Sequence, residues 1–305
     1  KEQDNVILYH HSVCWQEGME ILKQAKCRII FRYHNVTPEK FFEEYSDVHY
    51  MISYKGRMQT LELQKRFPDA YWICASEYNA QDLILVRNDH IGICPPFNKL
   101  EEWGNKTADE EVEKLLLSDE SIKLFFVGRV VPNKGHVLML DVINQYIKHY
   151  DNRIKLRIIG KFDSGLSGYN DLIDHMIEEY QLNDNVEFIG EINDEKLIAY
   201  YQNSDMMLCL SEHEGFCVPI IEAQYFGLPV VALRSSAIPE TLGENQVILS
   251  YDAAEIAAAV HVLYEHPEMR QYLARYGKEN YQRRFSYKKI RNVFMKTFQF
   301  AYDAQ

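Results

Sequence analysis

Residues 206–233 read MMLCLSEHEGFCVPIIEAQYFGLPVVAL, and their order of element types decides the fold. Met206 to Leu210 is an apolar run of strand length. Ser211 to Val218 is polar, carries Gly215 and turns the chain. Pro219 suits the first turn of a helix, where its missing N–H costs nothing. The helix continues over Ile220 to Phe226, Gly227 closes it as a C-cap, and Leu228 to Leu233 is the next buried strand. A loop that feeds a helix N-terminus at the end of a parallel strand is where α/β proteins bind anionic ligands. Glu214 sits in that loop and Glu222 in the helix.

The same alternation extends outward. Upstream, strands are expected over Lys123–Val127, Ile154–Ile159 and Val186–Ile189. Helices are expected over Val137–Tyr150, Asn170–Tyr180 and Asp194–Gln202. Downstream lie Asn245–Leu249, helices over Ala253–Glu265 and Glu268–Phe285, and a last helix, Tyr287–Tyr302, read as a docking helix. The first part of the chain gives strands at Val6–His10, Arg28–Tyr33, Tyr71–Ala75, Leu83–Val86 and His90–Cys94. Helices are expected at Glu17–Ala25, from Pro38, over Gly56–Phe67 and, capped by Ser76, over Glu77–Leu83. Strands alternating with helices mean parallel βαβ units. Asn98–Asp119, charged and weakly apolar, reads as the linker between two such series.

Composition narrows the function classes. With 305 residues and 47% hydrophobic content the chain can build one large or two ordinary cores. A net charge of −12 argues against sequence-independent nucleic-acid binding, which needs clustered cations. The six cysteines contain no C-x-x-C pair and read as free thiols of a reducing compartment, so the expected location is cytoplasmic. No apolar run approaches the roughly 18 residues of a membrane span. Lys55, Arg57, Lys65 and Arg66 around an amphipathic segment leave open a peripheral contact at the inner face of the membrane, against a solvated helix face.

The polar groups of the second series follow its strands: Gly128, Arg129 and Lys134 after the first, Gly160 and Lys161 after the second, Gly190 and Glu191 after the third, Glu214 after the fourth. All should share one edge of a parallel sheet. Two cations beside exposed backbone N–H groups suit a diphosphate; the alternative is a solvated basic turn. Glu214 and Glu222 are either surface carboxylates, Glu222 favouring a helix's first turn, or acceptors for the hydroxyls of a hexose or a ribose. The N–H groups of Gly215 and Phe216 would then face a phosphate. Cations for phosphate and carboxylates for hydroxyls describe a nucleotide-sugar site. His10, His11 and His34 end adjacent strands, as cleft residues or as packed histidines. G-x-G-x-x-G, G-x-x-x-x-G-K-[ST] and H-E-x-x-H do not occur. No two aspartates stand two apart, so no D-x-D pair holds a metal on a diphosphate.

FVGRVVPNKG, Gly160-Lys161, VEFIGEINDEKLIAYYQNSD and SEHEGFCVPIIEAQYFGLPVVA together resemble the C-terminal domain of glycosyltransferase family 4 (group 1), whose signature is the E-x7-E pair. The match covers roughly Lys123 to Leu249. YHHS, FRYHNVTP, WICASEYNAQDL and ICPPF echo the family's N-terminal domain more loosely.

The resemblance implies an α/β, GT-B fold, two Rossmann-like domains facing across a cleft. It implies an N-terminal domain over 1–117, a nucleotide-sugar-binding domain over 118–286, and a helix over 287–305 that packs back on the first. The implied activity is retaining, metal-independent transfer of a hexose, without cofactor, from a GDP- or UDP-linked sugar to a glycan or lipid-linked acceptor in bacterial surface polysaccharide synthesis. Arg129 and Lys134 would hold the diphosphate, Glu214 hexose hydroxyls with Gly215 and Phe216, and Glu222 the ribose diol. Gly190 and Glu191 would meet the base, and His34, His10 or His11 the sugar near its reacting carbon. The family's N-terminal Gly-rich loop has no match here, and the chain opens on Lys1 almost directly into a strand. A truncated or reduced first domain is therefore expected. The alternatives are a nucleotide-sugar-binding module that works with a partner chain, and a sugar epimerase of the same architecture.

Overall fold

The computed structural model describes residues 5–303. It divides into two compact units, one of Lys1–Phe97, Glu214–Phe216 and Tyr287–Gln305, the other of Asn98–His213 and Cys217–Ser286.

The first unit holds a four-stranded sheet of β1 (Val6–His11), β2 (Arg28–Tyr33), β3 (Tyr71–Cys74) and β4 (Ile91–Ile93), paired in that order and parallel throughout. Its strands are continuous apolar runs because helices cover both faces. On one face Phe31 stacks on Trp72 with ring centroids 4.4 Å apart, among Tyr9, Met19, Leu22, Tyr33 and Leu63. The other face carries the helix Tyr287–Asp303, where Arg28 lies 4.2 Å from the Tyr302 ring centroid and Phe300 meets Tyr71 edge to face.

Three expectations need correction here. Pro38 starts only a 3-10 turn, Glu39–Phe41. The helix expected from Gly56 begins at Asp47 and runs to Arg66, with the Ser46 hydroxyl accepting from His49 N. Gly56 inside it is a close-packing residue, since a Cβ there would lie 2.9 Å from Val36 Cγ1. Leu83–Val86 is no strand: Leu83 N donates to Ala80 O and Val86 N to Leu83 O, successive turns that bury Leu83 and Val86 and leave Ile84 in solvent.

The second unit has a six-stranded parallel sheet. Its strands are β5 (Ile122–Val127), β6 (Ile154–Ile159), β7 (Val186–Gly190), β8 (Met206–Cys209), β9 (Val230–Leu233) and β10 (Val247–Leu249). They lie in the order β10-β9-β8-β5-β6-β7. The chain winds outward from β5 through β6 to β7, returns to β8 on the other side of β5, and winds outward again. That reversal makes a topological switch point between β5 and β8, the crevice where doubly wound sheets take ligands.

The stretch read as a linker folds onto this second unit. Helices Leu100–Trp103 and Glu110–Ser118 frame Lys106, whose Nζ reaches Asp194 and Glu195 at 3.0 and 2.9 Å. Trp103 packs beside Tyr201 and Phe226. The border between the units accordingly falls between Phe97 and Asn98.

Arg157 ties β6 to its surroundings. It is 3% exposed and pairs with the Asp119 carboxylate and, through Nε at 3.3 Å, with Glu187. The guanidinium holds the Asp119 carboxyl well below the usual range, over the opposing effect of burial. Removing one partner of a buried pair strands the other charge. Asp119→Ala should therefore lose about 3 kcal/mol of stability in urea denaturation, whereas Glu187→Ala, whose carboxylate is exposed, should lose less than about 1 kcal/mol. Equal losses would contradict this account.

Candidate functional site

The carboxyl ends of β5, β6, β7 and β8 share one edge, and glycine brings their backbones together there. Gly128 follows β5, and its N–H donates to Ile159 O at 2.9 Å; Gly160 follows β6 and donates to Gly190 O at 2.9 Å. Gly160 has φ 153°, and a Cβ on it would lie 1.9 Å from Gly128 O, so no side chain fits. Val130 N then donates to Lys161 O at 3.0 Å. Gly135, at φ 74°, starts the helix His136–His149 in the left-handed region, and its Cβ would fall 2.0 Å from Leu210 O. The loop after β5 is thereby pressed onto the end of β8, at the switch point.

Asn133 fastens the two loops. Its carbonyl accepts from Glu212 N at 2.9 Å and His213 N at 3.3 Å, and its Nδ2 donates to His213 O at 3.1 Å. Sequence reasoning passed over Asn133, although its place between Pro132 and Lys134 in a Gly-bounded loop is a turn signal. Around this backbone Arg129, Lys161 and Glu191 are exposed and Lys134 is half-buried. His136, one residue past Gly135, is fully buried; its Nδ1 lies 3.4 Å from Tyr169 Oη. Burial, with the Lys134 charge added, holds its pKa down to about 3.

Glu222 is the fifth residue of the helix Val218–Phe226, just past the first turn that the dipole argument assumed. The Tyr201 hydroxyl donates to Glu222 Oε2 at 2.6 Å. Burial pushes the Glu222 carboxyl above the usual range, against the pull of that hydrogen bond. The helix starts from Cys217 at φ 73°, whose Sγ lies 3.7 Å from that of Cys209. It ends at Gly227, φ 75°. All six cysteines are free thiols. In the loop after β9, Ser235 Oγ donates to Ser211 O, and Ser236 takes φ 45°.

The remaining expected residues belong to the first unit. Ser76 caps the helix Glu77–Ala80 and its Oγ also donates to Gly215 O at 2.8 Å; a Cβ on Gly215 would sit 2.8 Å from His34 O. His10 Nδ1 and His34 Nε2 lie 2.9 Å apart. Burial first, then the Arg32 charge, lowers both, His34 to about 4. His11 projects from the opposite face of β1, is fully buried and bonds Thr60 Oγ1 at 2.8 Å. It is a packed histidine of the core.

A family model described as glycosyl transferases group 1 matches residues 107–280, more than half of the chain. The chain belongs to this family. It is 30% identical over 168 residues to a D-inositol 3-phosphate glycosyltransferase of Corynebacterium glutamicum, covering 54% of this chain and 40% of that one. It is 26% identical over 161 residues to a protein of Klebsiella pneumoniae named as an uncharacterized 41.2 kDa protein in the cps region, covering 53% and 40%. The chain thus spans less than half the length of these relatives. Among solved structures, Anabaena Alr3699/HepE in complex with UDP and glucose aligns at a TM-score of 0.78 and 18% identity, over 96% of this chain and 77% of that one. Sucrose-phosphate synthase from Thermosynechococcus elongatus aligns at 0.78 and 19%, over 98% and 74%. These likenesses establish the fold: α/β, of the GT-B class, with two parallel-strand sheets. The expectation of fold and of group 1 membership is met.

A histidine held below its ordinary pKa stays neutral in the folded chain while the unfolded one takes up a proton, so stability falls as pH drops through 6.5 toward the folded value. For His136 that decline amounts to about 2 kcal/mol between pH 6.5 and pH 5. Urea titrations should show His136→Asn losing correspondingly less over this window. A parallel decline in both proteins would contradict the burial argument.

Proposed function

We propose that the chain carries the donor-binding part of a retaining, metal-independent hexosyltransferase. It would move a sugar from a GDP- or UDP-linked donor to a glycan or lipid-linked acceptor in bacterial surface polysaccharide synthesis, at the cytoplasmic side. The observation that carries this reading is the switch point of the second sheet. There the Gly-turned loop with Arg129 and Lys134 lies against the end of β8, in the unit that holds Glu222. Family membership, the cps-region relative of Klebsiella pneumoniae and the UDP and glucose bound by the Anabaena protein support it.

In this reading Arg129 and Lys134 take the diphosphate, with the backbone of Gly128 and Gly160 and the Lys161 ammonium beside it. Glu222 accepts from the ribose diol with the oxygen that Tyr201 leaves open, and Gly190 and Glu191 meet the base. Glu214 accepts from hexose hydroxyls, with Gly215 and Phe216 supplying backbone contacts. Of the histidines, His10 and His34 stand at a rim where a sugar can be met. His11 supports β1 from within.

Transfer through an oxocarbenium-like transition state builds negative charge on the departing diphosphate. Cations already in place stabilise that charge without reorganisation. Lys134→Ala should slow nucleotide release from UDP-glucose or GDP-mannose on the order of 100-fold. Glu222→Ala should weaken nucleotide binding by calorimetry roughly tenfold, the scale of a hydrogen bond to a charged group. Unchanged binding and release in both variants would overturn the site. Binding without turnover in the parent chain would favour the nucleotide-sugar-binding module.

A further inference from the structure

Two strand arginines are buried, and their surroundings differ. Arg157 in β6 has the carboxylates of Asp119 and Glu187. Arg32 in β2 is 5% exposed, and its one hydrogen bond among the described residues runs from Nη1 to the Cys74 carbonyl at 3.4 Å. No carboxylate of the described residues forms an ion pair with it. An arginine stays charged in a protein, and a buried charge is retained where something compensates it.

Among the described residues beside Arg32, no group does. His10 stands opposite it in the β1–β2 register, with His34 two residues on. Both imidazoles are held neutral by burial and by the Arg32 charge itself. The thiols of Cys74 and Cys94, which feel the Arg32 charge, are pushed up by burial and stay protonated. The cluster lies toward the carboxyl ends of four parallel strands, and His10 is exposed at its rim.

We propose that Arg32, rimmed by His10 and His34, forms an oxyanion subsite on the carboxyl edge of the first sheet that receives a phosphate or carboxylate substituent of the acceptor. The planar guanidinium offers paired N–H donors matched to either group, and the imidazoles add donors at the rim. A bound oxyanion supplies the counter-charge that the fold omits. Assignment to the acceptor rests on the transfer reading above, in which Arg129 and Lys134 take the donor's diphosphate.

The test titrates the full chain with inorganic phosphate, and separately with acetate, following histidine ring signals by NMR. Phosphate or acetate should shift His10 and His34 saturably and leave the exposed His175 alone; whichever binds more tightly names the substituent. Arg32→Gln should weaken that binding at least tenfold, with UDP affinity by calorimetry unchanged. Should Arg32→Gln fail to fold, Arg32→Lys, which keeps the charge and loses the fork, should still weaken it several-fold. Absence of the shifts, or equal affinity in the folded variants, overturns the subsite. Displacement of the bound phosphate by UDP alone overturns its assignment to the acceptor. Oxyanion binding by a chain that transfers no sugar would sink the transfer reading and leave the subsite standing.

Discussion

The second unit depends on how closely its backbone meets itself at the carboxyl edge of the sheet. Gly160 passes against the Gly128 carbonyl and Gly135 against that of Leu210, with no room for a methyl group at either contact. Because the loops are pinned by main chain and by Asn133, the exposed side chains of Arg129 and Lys161 are not needed for that task. The same contacts fix the switch point as a shaped edge and not as a set of loose turns, which is what preorganised charge requires.

Buried charge is handled in two ways in this molecule. Where the sheet must hold together, charge is matched, as between Arg157 and Asp119. Where a ligand is proposed to enter, it is left unmatched or only half satisfied among the described residues, as at Arg32 and at Glu222, whose Oε2 accepts from Tyr201 while its other oxygen is proposed to meet a diol. Perturbed groups of this kind gather at functional edges because a fold gains nothing from them in isolation.

Both sheets were legible in the sequence because parallel strands covered on two faces are written as unbroken apolar runs: YWIC, MMLC and VVAL are buried throughout. The unit Met206–Leu233 was read nearly residue for residue, since Pro219 and Gly227 punctuate its helix. The helix Asp47–Arg66 was only half seen. It buries Ser53, Gln59, Thr60 and Gln64 and exposes Val48, Met51, Ile52 and Met58, so its periodicity points the wrong way. At the candidate site, the proposed cations and carboxylates were singled out by residue type. Asn133 and Tyr201 were not, because their roles are contacts between elements far apart in sequence. Arg32 had a visible signal, a charge within the apolar strand RIIFRY, which strand spacing alone could not separate from a solvated edge residue.

The helix Tyr287–Asp303 lies on β2 and β3, strands formed from the first quarter of the chain. The first unit is therefore discontinuous, closed by contacts that span almost the whole sequence, whereas nearly all of the second lies in one unbroken stretch between them. Such long-range closure is slow, and its loop entropy must be met before the contact forms. During synthesis the second unit can complete its sheet first, while one face of the first sheet waits uncovered for the helix Tyr287–Asp303 to leave the ribosome.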